Sequence, residues 1–302
     1  MTIGTLNNGL LWTVGLTAVL TISCGQKSSD GRLAPRLKNI GDLHAPITTK
    51  SPDAQAYFNQ GLTLVYGFNH AEALRSFKEA ARLDPACAMA YWGEALALAP
   101  NINDPAIGPD REQQGYEAIT EASKRRSQAS LREQAMIDAL TARFSGAKDR
   151  DRQALNNAYA EAMAKAYKSN SDDPDIATLY ADAVMNTMPW NYWATGGKAK
   201  PGIPESRAAL EKAIHDHPNH AGANHQYIHL MEASDEVDLT VPSADRLGGL
   251  VPAAGHLVHM PAHTYIRVGR YADAAAVNVK AVAADVSINK RLWQLAEAIT
   301  LN

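Results

Sequence analysis

Residues 54–85 are the segment that most constrains how this chain can fold. They read AQAYFNQGLTLVYGFNHAEALRSFKEAARLDP, with a break at Gly67-Phe68-Asn69-His70 between two stretches. Apolar residues recur at helical spacing in both stretches. Pro85 ends the second one, because proline cannot continue a helix. Two such helices can bury their apolar faces against each other, so the segment predicts a helical hairpin.

The remaining composition also favours helices. Alanine clusters with Leu, Glu, Lys and Arg, which are good helix formers, and aromatic residues make up only 7% of the 302 residues. A content of 46% hydrophobic and 20% charged residues excludes a disordered chain. Two cysteines are too few for a disulfide scaffold. We therefore expect an all-α fold, and the net charge of −3 gives no support for a nucleic-acid partner.

The hairpin resembles the tetratricopeptide repeat (TPR) family, whose period is about 34 residues. Small and large residues take the family's places in its two helices: Tyr57, Gly61, Ala73, Phe77, Ala80 and Pro85. Weaker units begin near residues 88, 174, 221 and 255. The resemblance implies a helix-turn-helix solenoid over residues 53–302, with irregular insertions of which Pro189–Pro204 is rich in Trp, Tyr, Gly and Pro.

The N-terminus has the pattern of a targeting segment. Leu10–Ile22 is an uncharged apolar run, short for a membrane span and suited to the core of a secretory signal. Ser23-Cys24-Gly25 resembles the lipobox of bacterial lipoproteins, which implies lipidation at Cys24. We expect a signal peptide over 1–24 and a flexible tether over 25–52. The protein would then be exported to the periplasm or outer surface, with a lipid anchor or an uncleaved signal as its membrane contact.

Histidines are concentrated in the C-terminal half. Eight of the ten lie between His215 and His263. His225, His229 and Glu232 are spaced i, i+4, i+7, and His256, His259 and His263 are spaced i, i+3, i+7. Each spacing places its residues on one face of a helix. Two facing helices with this spacing can close a metal site, as helical bundles do.

In TPR proteins the corresponding positions line the concave groove. The resemblance therefore implies one cavity within residues 220–263, lined by His220, His225, His229, Glu232, His256, His259 and His263. Imidazole and carboxylate ligands suit a divalent ion of Zn, Cu, Fe, Ni or Mn. His220 and Glu232 are either additional ligands or residues that orient the ligands. Glu232 is also the candidate catalytic base if the protein is an enzyme. Pro261, inside the second triplet, either starts a helix or kinks one.

Three functions agree with this pattern. The groove could belong to a metal-dependent enzyme of unknown substrate, to a TPR scaffold that binds a protein or peptide without metal, or to a metal storage or delivery protein. Walker A, G-x-S-x-G and C-x-x-C motifs are absent from the sequence, so it gives no support for nucleotide or nucleophilic chemistry. Trp190, Tyr192 and Trp193 either pack the insertion onto the repeats or form a substrate wall.

Two histidine-rich segments, residues 220–234 and 255–275, also resemble a group of exported bacterial proteins of unassigned activity. Asn69-His70 and Met188–Trp193 match segments of the same group. Its members continue with more helical repeats beyond the point where this sequence stops. We therefore expect either a natural short form or a fragment, whose site could lack ligands from downstream repeats.

Overall fold

The computed structural model describes residues 31–147 and 149–300, with side chains described up to residue 286. The signal peptide and the lipidated Cys24 predicted within residues 1–24 lie outside the described residues. Among the described helices, none combines the length and the apolar character that a membrane-spanning helix requires.

All regular elements in the described part of the chain are helical, as the composition predicts, apart from two isolated bridges. The helices are α1 (Pro52–Tyr66), α2 (His70–Leu83), α3 (Ala88–Leu98), α4 (Pro109–Lys124), α5 (Leu131–Thr141), α6 (Arg152–Ser169), α7 (Pro174–Met185), α8 (Ile203–Asp216), α9 (Ala221–Met231), α10 (Val241–Leu250), α11 (Gly255–His259), α12 (Pro261–Arg267) and α13 (Tyr271–Thr300). Short 3-10 helices occupy Arg126–Gln128 and Val237–Thr240.

The predicted hairpin is present as α1 and α2. The Ser51 hydroxyl accepts a hydrogen bond from the Ala54 backbone N–H, and Pro52 occupies the first turn of α1. The break falls at residues 67–69, where Phe68 has a left-handed φ of 53°. Asn69 stands at the N-cap of α2, but its side chain makes no capping hydrogen bond.

The hairpin packs around the ring of Phe77 in α2. A Cβ placed on Gly61 of α1 would come within 2.6 Å of this ring, and Gly93 of α3 faces the same ring closely. Both glycines therefore let a neighbouring helix approach α2 to a distance that a side chain would prevent. Gly61 and Phe77, a small and a large residue identified in the sequence, are thus in contact where α1 and α2 cross.

Helices that follow one another along the chain are in contact from α1 to α13. A second set of contacts joins distant parts of the sequence, since α9 also touches α1 and α12. Gly222 makes the α1 contact close, because a Cβ there would lie 2.7 Å from the Tyr66 ring. The Tyr66 hydroxyl also donates a 2.7 Å hydrogen bond to the buried Asp175 of α7. The end of α1 is thereby fixed against α7 and α9.

Residues 31–51 differ from the expected tether. They have no helix, yet Ala34 and Ala45 are fully buried. The Leu37 backbone N–H donates to Gln60, and the Thr48 backbone N–H donates to Glu133. The polar composition of the segment suggested a solvated chain, but its backbone groups find side-chain partners on α1 and α5. The described part of the tether is thus packed on the helices.

We expect Gly222→Ala to lower the free energy of unfolding by about 1–3 kcal/mol, because the added methyl group overpacks the contact between α9 and Tyr66. Urea unfolding followed by circular dichroism measures this. Gly249→Ala is the matched control, since a Cβ there meets nothing within 4 Å. An equal loss of stability in both variants would show that the α1–α9 contact tolerates a side chain.

Candidate metal centre

Five imidazole rings meet where α9 faces α11 and α12. Ring centroids are 4.7 Å apart for His225 and His229, 4.9 Å for His225 and His256, and 4.8 Å for His259 and His263. The His229 ring lies between the other rings, with its centroid 5.8 Å from that of His256 and 5.6 Å from that of His263. The two triplets predicted from helical spacing are therefore brought together.

The chain builds this cluster from one regular helix and one broken one. His225 and His229 are one turn apart on α9 and are fully buried. Pro261 starts α12 immediately after α11 ends at His259, so of the two options for this proline the structure has a helix start. The second triplet is consequently divided between two short helices.

Three of these rings form a group that can hold a metal ion. One nitrogen from each of His225, His229 and His256 lies within 4.8 Å of the others. The Nε2 atoms of His225 and His256 are 3.0 Å apart. Two tetrahedral Zn ligands at about 2.0 Å from the ion are roughly 3.3 Å apart, so modest shifts close the group around an ion.

The Nδ1 atoms of His229, His259 and His263 are held by hydrogen-bond acceptors. Glu232 accepts from His229 Nδ1 at 3.0 Å with one oxygen and from His263 Nδ1 with the other. The amide oxygen of Asn278 lies 2.5 Å from His259 Nδ1. His225 Nδ1 makes no hydrogen bond of standard geometry, and the Tyr66 carbonyl is the nearby acceptor that acts on this ring. Such acceptors fix the tautomer and the orientation of metal-binding histidines.

The electrostatics keep His225, His229 and His256 neutral. Burial lowers the pKa of His225 well below its ordinary value, and the rings of His229 and His256 lower it further. Burial and the rings of His229 and His259 lower the pKa of His256 to about 3. Burial raises the pKa of Glu232, but the hydrogen bonds from His229 and His263 outweigh it and bring the pKa to about 2. Neutral imidazole is the form that binds metal.

Aromatic rings cover the cluster. Phe68 stacks on His256 at a centroid distance of 4.9 Å and on His229 at 5.9 Å, and Trp190 meets His229 edge-on at 5.2 Å. Phe68 and Trp190 both have a left-handed backbone, with φ of 53° and 62°. This conformation is unfavourable for bulky residues and is concentrated at functional sites. The insertion therefore both packs on the helices and supplies a wall of the site.

A cleft of about 480 Å³ opens beside His256. Polar groups line it, among them His70, Asn101, Asp104 and Arg111. Burial lowers the pKa of His70 to about 4, against the opposing effect of the Phe68 carbonyl. Molecules from solvent can thus reach the edge of the imidazole cluster without unfolding the protein.

His220 lies outside the cluster, in contrast to its sequence assignment. Its Nδ1 accepts from the Ala223 backbone N–H, which caps α9, and its Nε2 faces Asp175 at 3.1 Å. Both ring nitrogens are therefore occupied by protein groups.

Glu232 lies in the cluster, but both of its oxygens accept from the Nδ1 atoms of histidines. It supports the rings, and neither a ligand position nor a base is open to it in this arrangement.

The sequence did not identify Phe68 or Asn278 as parts of the site. Phe68 had a signal, because an aromatic residue in a glycine-containing turn next to His70 is unusual. Asn278 lies 19 residues beyond His259, on the next long helix, and nothing in the spacing connects them. Trp190 was identified as aromatic, with packing and a substrate wall as its alternatives.

Comparisons with known proteins leave the site to be interpreted on its own chemistry. No protein-family model matches the chain, and no curated protein matches it. The function proposed below therefore rests on the residues and their geometry.

We expect His220→Asn to retain metal while lowering the free energy of unfolding by about 1–3 kcal/mol, because a buried hydrogen bond to Asp175 is lost. His229→Asn keeps an N–H donor near the position of Nδ1 but removes Nε2, so it is expected to abolish metal binding. Elemental analysis and urea unfolding separate the two effects. Loss of metal from the His220 variant with unchanged stability would contradict this assignment.

The half-buried His70 gives a pH-dependent contribution to stability. Its folded pKa of about 4 lies below the ordinary 6.5. The unfolded chain therefore binds more protons between these values, and stability falls as the pH drops from about 6.5 towards 4. The loss is about 1.4 kcal/mol for each unit by which the pKa is lowered.

We expect the stability advantage of the metal-free wild type over His70→Asn to decrease between pH 7.5 and pH 5. Burial raises the pKa of Asp182 to about 6 and that of Glu94 to about 7, so these two groups stabilise the folded state as the pH falls. They act equally in both proteins, and the difference in stability between the variants is therefore the readout. Urea unfolding in chelator measures it, with the exposed His215→Asn as control. A constant difference would show that His70 is not perturbed.

Proposed function

We propose that this protein is an exported helical-repeat protein whose groove binds a divalent transition-metal ion through His225, His229 and His256. The TPR assignment is supported by the α1–α2 hairpin and by the packing of Gly61 and Gly93 on Phe77. Export is supported by the apolar run Leu10–Ile22, and the same run or a lipid at Cys24 would supply the membrane contact.

The observation that carries the metal assignment is the Nε2 atom of His229. This atom is buried and has no hydrogen-bond partner among the described residues. Its ring is oriented by Glu232, which accepts from Nδ1 and leaves an unshared electron pair on Nε2. A buried acceptor without a partner costs about 1–3 kcal/mol. A cation bound by the His225–His229–His256 group would remove that cost.

The cleft beside His256 favours an enzyme over a closed structural site. Three protein nitrogens leave a tetrahedral ion with one position open, as in catalytic zinc sites. The cleft lets water and a small molecule reach the edge of His256, one of the three ligands, and His70 and Asn101 offer polar contacts along it. A metal storage or delivery protein has no need for a lined cleft of about 480 Å³.

A bound ion would act as a Lewis acid and would lower the pKa of a water molecule that it holds. The protein residues orient the ligands and limit access. Glu232 fixes His229, while Phe68 and Trp190 exclude bulk water from the ring faces. Glu232 is thereby a positioning residue, because its carboxylate is already shared between two imidazoles.

The test is metal analysis of protein purified without a histidine tag. We expect at least one ion of Zn, Cu, Fe, Ni or Mn per chain after loading and gel filtration, and a lower melting temperature in chelator. His229→Asn is expected to lose this ion. His215→Asn is the matched control, because His215 is exposed and distant from the cluster.

A protein that binds no metal and whose melting temperature ignores chelator would contradict the proposal. The groove would then be that of a scaffold for a protein or peptide. An ion that is bound but inaccessible to small competing ligands would indicate storage or delivery.

A further inference from the structure

His259 and His263 form a second pair of imidazoles beside the His225–His229–His256 group. Their Nε2 atoms face each other at 2.9 Å. His259 ends α11, and His263 lies in the first turn of α12 after Pro261. Neither belongs to the three-histidine group, although their rings adjoin it, with centroids 6.2 Å apart for His256 and His259.

The hydrogen bond from Asn278 fixes the tautomer of His259. The amide nitrogen of Asn278 donates to the Ala274 carbonyl at 3.0 Å. A carbonyl can only accept, so the orientation of the amide is determined and its oxygen faces His259 Nδ1 at 2.5 Å. His259 must therefore carry its proton on Nδ1. The neutral ring then has an unshared electron pair on Nε2.

Glu232 fixes the tautomer of His263 in the same way. A carboxylate shared by two imidazole nitrogens accepts a hydrogen bond at each of its oxygens. One oxygen accepts from His263 Nδ1 and the other from His229 Nδ1. The proton of neutral His263 is thus on Nδ1, and Nε2 again has an unshared electron pair.

Two unshared electron pairs consequently point at each other across 2.9 Å. This arrangement is repulsive unless something positive lies between the two nitrogens. A metal ion bound by both atoms satisfies it, since tetrahedral ligands at about 2.0 Å from Zn are roughly 3.3 Å apart. A proton shared by the pair is the competing solution, and it would place a charge beside three neutral rings.

We propose that His259 and His263 bind a second divalent transition-metal ion next to the one held by His225, His229 and His256. This proposal deepens the proposed function and rests on it, since it makes the groove a two-metal centre. Glu232 links the two metal positions, because it accepts hydrogen bonds from His229, a ligand of the first ion, and from His263, a ligand of the second. With two protein nitrogens, the second ion keeps positions for water or an oxygen-donor ligand, so it binds more weakly and exchanges faster than the first.

Zinc loading of the full chain tests the proposal. After equilibration with excess Zn²⁺ and gel filtration, we expect two ions per chain in the wild type and one in the double variant His259→Asn/His263→Asn. The double variant His215→Asn/His217→Asn is the matched control and is expected to keep two. Far-ultraviolet circular dichroism verifies that each variant is folded.

Asn278→Leu tests the second site without removing either of its two proposed ligands. Without its acceptor, His259 can place its proton on Nε2, and we expect the second ion to bind 10–100-fold more weakly while the first is unchanged. Loading with Cu²⁺ adds a spectroscopic test. Two adjacent ions should broaden each other's electron paramagnetic resonance signal, and the double variant should show an isolated signal.

The failures are distinguishable. One ion per chain in the wild type, retained with unchanged affinity in His259→Asn/His263→Asn, would overturn the second site and leave the proposed function intact. The pair would then share a proton. Absence of any bound metal from the wild type would overturn both.

Discussion

The site depends on the close approach of α9 to the end of α1. Gly222 allows it, because the Tyr66 ring occupies the space that a side chain would need. The Tyr66 hydroxyl and His220 then meet on the buried Asp175, which anchors both helices to α7. This contact brings the Phe68 ring, from the turn after α1, onto histidines that are more than 150 residues further along the chain.

Hydrogen bonds to the outer ring nitrogens determine the chemistry of the cluster. Glu232 and Asn278 hold the protons of three imidazoles on Nδ1, so the unshared electron pairs point into the site. Burial keeps His225, His229 and His256 neutral. The site thus gathers buried hydrogen-bond acceptors, and the described residues provide no donor for His229 Nε2. An acceptor buried without a donor is unfavourable, and a bound cation would remove that cost.

Much of the fold could be predicted from the sequence. Helix-forming composition and apolar periodicity indicated α1, α2, α3 and α9 with their breaks, because those signals are local. The positions of the histidines on shared helix faces also followed from spacing. The resemblance placed His220 in the cavity, but at the N-cap of α9 its ring nitrogens contact Ala223 and Asp175 instead. The packed segment 31–51 was missed, because its partners are side chains on distant helices.

Helical spacing predicted that the histidines share helix faces and recur about one turn apart. Which ring nitrogens converge depends on how the helices pack against each other. The tautomers of His259 and His263 are set by residues remote in sequence, Asn278 and Glu232. Helical spacing fixes the direction of a side chain to within a face, whereas metal binding depends on ångström distances between atoms, and those are set only when the helices pack.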